Sequence, residues 1–152
     1  MYTFKAGLLS PLAHDLRLRV DRWEIGLDGV RVAARFWTDS IVVEGPVIRG
    51  DLRPSGLSER DKQAILATLR TDILDTARWP EIRFVGDAMS GDLTIRGRAV
   101  RVDLRSRQEG AVHVGEIELA PSLWGITPYR ALGGTIRLQD RLRLTWRVSE
   151  PG

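Results

Sequence analysis

The chain has 152 residues, ordinary apolar content and a formal net charge of +3, values that suit one domain with a real core and exclude a disordered segment. It contains no cysteine and only two histidines, His14 and His113, far apart in sequence, which excludes disulfides, thiolate metal sites and cysteine nucleophiles and leaves no imidazole-rich metal centre. No apolar run approaches the roughly 18 residues of a spanning helix.

Met1 to Lys5 lacks a basic region followed by an apolar one, so no signal peptide is legible and a cytoplasmic location is expected. Tyr2-Thr3-Phe4-Lys5 is a short alternating start, followed by a loop containing Ser10-Pro11. From Asp15 to Val20, Leu16, Leu18 and Val20 alternate with Arg17 and Arg19, the period of a strand with one face buried. Trp23 to Leu27 continues this pattern to a hairpin turn at Asp28-Gly29. Strands over Val30 to Trp37 and Ser40 to Glu44 follow, and Gly45-Pro46 is expected to break the run.

Ser58 to about Thr71 reads as the one good helix. Ser58 can cap it, with Asp61 at the capping-box position, and Ile65, Leu69 and Ile73 recur every four residues as an apolar stripe. A second turn over Asp72 to Ala77 precedes Trp79-Pro80, where the proline ends helical geometry. The second half is extended again, over Glu81 to Val85, Asp92 to Arg96, Ala99 to Arg105, Val112 to Leu119, Thr135 to Leu138 and Arg141 to Val148. In the last run Leu142, Leu144, Trp146 and Val148 oppose Arg141, Arg143, Thr145 and Arg147.

The expected architecture is therefore mainly β, a single domain over residues 1–152. About nine or ten short strands joined by tight turns, with one helical insert, suit an antiparallel up-and-down barrel. A barrel of about eight strands has an interior that side chains fill or that holds one small ligand. Its inner set would be Leu16, Leu18, Val20, Ile82, Phe84, Leu93, Ile95, Val100, Val102, Leu104, Leu142, Leu144 and Trp146.

Lys5 and Lys62 are the only lysines, so the basic residues are almost all arginine. Acids nearly balance them and the arginines alternate with apolar residues along strands, which favours a solvated outer face over nucleic-acid binding. Arg96, Arg98, Arg101, Arg105 and Arg107 flank one turn, as an anion-binding patch or as an ordinary outer face diluted by Asp92, Asp103 and Glu109. His14-Asp15 sits at a loop-to-strand boundary, where His14 would bind a polar head group or act as a base, or simply bond a backbone carbonyl in a turn. Trp79 would line an entrance or anchor the passage from helix to strand. Trp124, Tyr129 and Arg130 lie in a loop rich in Pro and Gly, as the rim of an amphiphile pocket or as a plug on the barrel end. No catalytic set is legible.

Three stretches resemble the YceI-like family of lipid-binding proteins. Ile73-Leu74-Asp75, Trp79-Pro80 and Ile82-Arg83-Phe84 resemble its short helix, aromatic-proline pair and aromatic strand. Gly91 to Gly97, followed by Val100 to Leu104, resembles its turn-strand-glycine run, and Leu123 to Ile126 near Pro128-Tyr129, then Gly134 and the last two strands, its C-terminal part. Ser10 to Asp15 resembles a variant opening with a histidine before the second strand, while the first strand is short and the family's common secretion signal is missing. The resemblance implies a lipocalin-like barrel with a helical cover, and an elongated apolar pore for a polyisoprenoid or similar amphiphile. It implies no cofactor, metal, reaction or stable membrane insertion, and leaves the oligomeric state open. Leu16, Leu18, Phe84, Ile95, Val102, Leu144 and Trp146 would line the pore, with His14, Trp79, Trp124, Tyr129 and Arg130 at the rim. The alternative is a structural or interaction module whose barrel is filled by these same side chains.

Overall fold

The structure is a computed structural model and describes residues 2–6, 15–127, 130–131 and 136–149, with side chains described for 15–127 and 140–149. Strands are β1 (Tyr2–Ala6), β2 (Asp15–Val20), β3 (Trp23–Asp28), β4 (Arg31–Trp37), β5 (Ile41–Ile48) and β6 (Asp51–Leu52). After helix α1 (Glu59–Thr68) come β7 (Glu81–Gly86), β8 (Ser90–Ile95), β9 (Arg98–Asp103), β10 (Arg105–Glu109), β11 (Val112–Leu119), β12 (Arg130–Ala131) and β13 (Ile136–Ser149).

Every ladder is antiparallel, as alternation predicts, but the closed barrel is not found among the described residues. The strands divide into an eight-stranded sheet, ordered β10-β11-β13-β1-β2-β5-β6 with β12 beside β13, and a five-stranded sheet ordered β3-β4-β7-β8-β9. The physical reason lies at three bends. One chain run passes from the first sheet to the second at Asp21-Arg22, another returns at Thr38–Ser40, and a third crosses at Leu104. Pairing lapses where a strand turns a corner between sheets. Backbone bonds from Asp21 to Ser40 (3.2 Å), Trp37 to Arg22 (3.1 Å) and Leu104 to Met89 (2.7 Å) hold the corners.

Three sequence expectations are corrected by the strand boundaries. Gly45-Pro46 does not end its strand: β5 runs through it to Ile48, with an irregularity opposite Arg17/Leu18. Gly45 takes φ 150° there and approaches the Arg53 carbonyl where a Cβ would collide, a glycine-dependent bulge. The run expected from Ala99 to Arg105 is split at Leu104 between β9 and β10. Thr135–Leu138 and Arg141–Val148 are not two strands, since β13 runs unbroken from Ile136 to Ser149.

The helix starts as expected: Ser58 Oγ accepts from the Asp61 N–H (3.1 Å) and donates to its carboxylate (2.7 Å). It ends earlier, at Thr68, and passes into a π-turn over Leu69–Ile73, closed by the Leu74 N–H to Leu69 carbonyl bond (2.9 Å). Leu66 and Leu74, either side of this turn, are buried, while Ile65, Leu69 and Ile73 of the expected stripe are only half-buried.

Thr38 carries several of the core's polar contacts. Thr38 is 2 % exposed and is the only buried polar residue among those described. Its amide donates to the Pro80 carbonyl (2.9 Å), and its hydroxyl reaches the carbonyls of Pro80 (2.9 Å) and Trp79 (3.1 Å). Trp79 in turn lies over Gly97, whose φ of 73° closes the β8–β9 turn and whose missing side chain makes room for the indole. Replacing Thr38 with Val keeps the shape and removes the hydroxyl. Equilibrium urea unfolding is expected to show a loss of about 1–2 kcal/mol at unchanged m value; an unchanged midpoint would mean that the corner does not depend on this group.

Candidate functional site

The candidate site is the apolar core between the two sheets. Alternation sends Leu18, Ile41, Val43, Phe84, Leu93, Ile95, Val102, Ile117 and Leu119 inward, and all are buried in one cluster. Of the proposed lining residues, Leu18, Phe84, Ile95 and Val102 belong to this buried set, while Leu16, Leu144 and Trp146 are half-buried. Inward residues of β3, β4 and β13, including Ile25, Val32, Phe36, Leu142, Leu144 and Trp146, pack on the cluster yet stay partly exposed.

Two strand glycines shape the wall. Gly115 pairs with Trp146, and a Cβ on Gly115 would collide with the indole. Gly91 stands in the same relation to the Phe84 ring. Each aromatic ring thus lies flat against the neighbouring strand, which only a residue without a side chain permits. Sequence reasoning read Gly91 as part of a turn and passed over Gly115, although an isolated glycine inside an alternating run was a usable signal of close approach.

Trp124 is buried in this core, at 3 % exposed. Its Nε1 donates to the Leu93 carbonyl (2.9 Å). The 3-10 turn Pro121–Trp124 that carries it ends at Gly125 (φ 74°). Asp140 on β13 steadies this turn, accepting from the Ser122 N–H (2.8 Å) and from the Ser122 hydroxyl. Trp79 lies on the β8–β9 turn, with the Arg78 guanidinium 5.0 Å from its ring centre. Arg130 lies on β12, opposite Arg137. His14 and Tyr129 lie outside the described residues. The structure therefore brings Trp124 together with the lining residues, and holds Trp79 at the turn beside them.

Charge sits on the outer faces. Glu44 bridges Arg17 (2.8 Å) and Arg19 (3.0 Å), and Arg141–Glu118 and Arg143–Glu116 pair across β11 and β13 at 2.5 Å. Hydrogen bonds from Arg19 and Arg141 hold Asp21 and Glu118 below the usual carboxylate range, and two backbone N–H groups do the same for Asp87. The arginine row does not converge: Arg96 and Arg98 flank the β8–β9 turn, whereas Arg105 and Arg107 lie on β10 in the other sheet. Among the described residues no group of three or more His, Cys, Asp or Glu could hold a metal, and no helix is long and apolar enough to cross a membrane.

Two surface hollows are also present. A groove of about 330 Å³ between α1 and the β4–β5 corner has an apolar floor that includes Ile41, Val43 and Leu66, with Asp39, Glu59, Lys62 and Arg70 among its charged lining residues. A shallow depression of about 320 Å³ lies over Gly26, Ala33 and Val85 on the hairpin β3–β4 and β7. Trp124→Phe tests the anchored indole. Loss of the indole N–H leaves the Leu93 carbonyl unpaired, and thermal unfolding is expected to show a loss of about 1–3 kcal/mol; a wild-type midpoint would place the indole elsewhere.

Comparison with known proteins is consistent with this architecture. The sequence matches the YceI-like domain over residues 29–149. Among solved structures, Burkholderia cenocepacia BcnA aligns with TM-score 0.53 at 14% identity, covering 96% of this chain and 92% of that one. The Campylobacter jejuni YCEI protein aligns with TM-score 0.54 at 12% identity, covering 98% and 92%. At such identities the structural likeness speaks for the fold alone. A comparison with curated proteins found no match.

Proposed function

The chain belongs to the YceI-like family, and on that footing we propose that it binds or carries a long apolar amphiphile of isoprenoid type, without chemistry. The ligand would lie between the sheets along Leu16, Leu18, Phe84, Ile95, Val102, Leu144 and Trp146. Trp79, Trp124 and Arg130 would stand at the end marked by the β8–β9 turn, with His14 and Tyr129 as further rim candidates. The paired sheets would act as one barrel-like enclosure within a single domain, and no residue is assigned a catalytic role.

The observation that carries this reading is the half-exposed inward row. Apolar side chains that alternation turns inward on β3, β4 and β13 still meet solvent. Covering them is favourable at roughly 25 cal/mol per Å², or about 0.8 kcal/mol per CH₂ of a bound chain, so a prenyl chain of ordinary length gains several kcal/mol before ordering costs. The flat-lying Phe84 and Trp146 rings keep bulk at the wall and out of the centre. The second reading is an interaction module with a solid interior. It draws support from the contiguous burial of Leu18, Phe84, Ile95 and Val102 in one cluster.

Native mass spectrometry of protein purified gently from cells separates the two. Persistent adducts of lipid mass are the expected result, and a clean apo mass supports the solid interior. Trp146 fluorescence should also shift on titration with a long prenyl alcohol. Gly115→Ala, which forces the indole off the wall, should weaken that binding at least tenfold and destabilise the fold by about 1–3 kcal/mol. Full affinity in the variant would remove Trp146 and Gly115 from the lining.

A further inference from the structure

The groove between α1 and the β4–β5 corner joins an apolar floor to an unbalanced charge. Ile41, Val43 and Leu66 lie beneath it, all buried, and its volume is about 330 Å³, within the roughly 300–1,000 Å³ of small-molecule sites. Its helical wall follows from spacing. Glu59, Lys62, Leu66 and Arg70 recur every three or four residues, so they share one face of α1 and of the turn that continues it. The Lys62 side chain is 14 % exposed, and its hydrocarbon stem adds to that wall.

The charges lining the groove do not cancel. Asp21 pairs with Arg19 (2.5 Å), Asp39 with Arg22 (2.7 Å) and Glu59 with Lys62 (3.4 Å). Arg70 is left over. It is half-buried and forms no ion pair among the described residues. Its Nη2 donates to the Asp39 carbonyl (2.8 Å), and its Nε is buried with no hydrogen-bond partner. A guanidinium partly withdrawn from water without a counter-ion is poorly satisfied. Its planar edge is suited to taking both oxygens of a carboxylate at once.

We propose that this groove binds a small monocarboxylate with a compact apolar body, an aryl or branched-chain acid. The carboxylate pairs with Arg70, after a side-chain rotation that uncovers Nε, and the body covers Leu66, Ile41 and Val43. The match is selective in charge. One surplus cation calls for one negative charge, whereas a phosphate dianion would meet Asp21 and Asp39 at the same rim. A neutral molecule of the same shape would leave Arg70 without its counter-ion. The groove shares no residue with the proposed lipid lining between the sheets, so this site stands apart from that reading.

Titration of the full chain with phenylacetate and with 4-methylpentanoate, followed by amide NMR, tests this. The expected result is saturable binding with a dissociation constant of about 1 mM or below, with shifts centred on Ile41, Leu66 and Arg70. Phenylacetamide, which keeps the ring and loses the charge, and acetate, which keeps the charge and loses the body, should each bind at least tenfold more weakly. Arg70→Gln should weaken phenylacetate at least tenfold while leaving phenylacetamide within threefold, a split that a merely structural role for Arg70 would not produce. Far-UV circular dichroism confirms folding. If Arg70→Gln fails to fold, Gln63→Trp at an exposed lining position carries the test by crowding the groove, and should weaken both acids at least tenfold. Failure of both acids to bind, equal affinity for phenylacetate and its amide, or full affinity in a folded variant would overturn the proposal. So would shifts centred on Leu93 and Trp124, which would put the acid between the sheets.

Discussion

The corner at Thr38 organises this molecule. Three sheet-to-sheet crossings must be held in register for two short-stranded sheets to share one core, and among the described residues only this crossing is fixed by a buried polar side chain. The Thr38 amide and hydroxyl together engage the carbonyls of Trp79 and Pro80, and it is the Thr38 donors, not these half-buried and exposed acceptors, that would otherwise be stranded in the core. That links the β4–β5 corner to the end of the helical insert, and through the Trp79 ring on Gly97 to the β8–β9 turn. Elements forty and sixty residues apart are tied by a single small polar side chain and one indole. The inner faces of β5, β7 and β8 are thereby set against each other, and the apolar core behind them follows.

Energetically the arrangement is layered. Ion pairs on the outer faces are exposed, so each contributes little; they serve more to keep arginine-rich faces wet and mutually neutral. Apolar burial supplies most of the cohesion, and it is uneven: dense around Leu93, Ile95 and Trp124, thinner toward β3 and β13. Density in one region and incompleteness in another is the arrangement expected of a protein that accommodates a guest.

Much of this was legible in the residues. Period-two alternation located β2, β3, β4, β7, β11 and the end of β13, since a half-buried strand leaves that signature whatever its neighbours are. Trp79-Pro80 marked the passage from helix to sheet. Alternation is silent, however, about corners. Leu104 reads as one more inward residue, and nothing local shows that pairing changes partners there. Gly45-Pro46 carries a strong break signal, yet tertiary pairing with β2 and the approach of Arg53 turned it into a bulge. Arg105–Glu109 has no apolar member, so its strand character comes wholly from β11. The site was partly visible for the same reason: inward residues could be named, but whether they meet in the middle depends on the distance between sheets. The burial of Trp124 depends on its bond to Leu93, thirty-one residues away, a contact no spacing rule reveals.

The π-turn at Leu69–Ile73 bears on how this architecture can change over time. Joints between helix and strand usually absorb gains and losses of single residues. Here a chain shorter by one could close an ordinary α-turn, but every later atom would be delivered roughly 100° further round the axis. The indole would then miss its glycine, and the threonine its two carbonyls. The wide turn works as a phase adjuster, so length at this joint is constrained more tightly than chemistry, and side chains there can drift where an insertion or deletion could not.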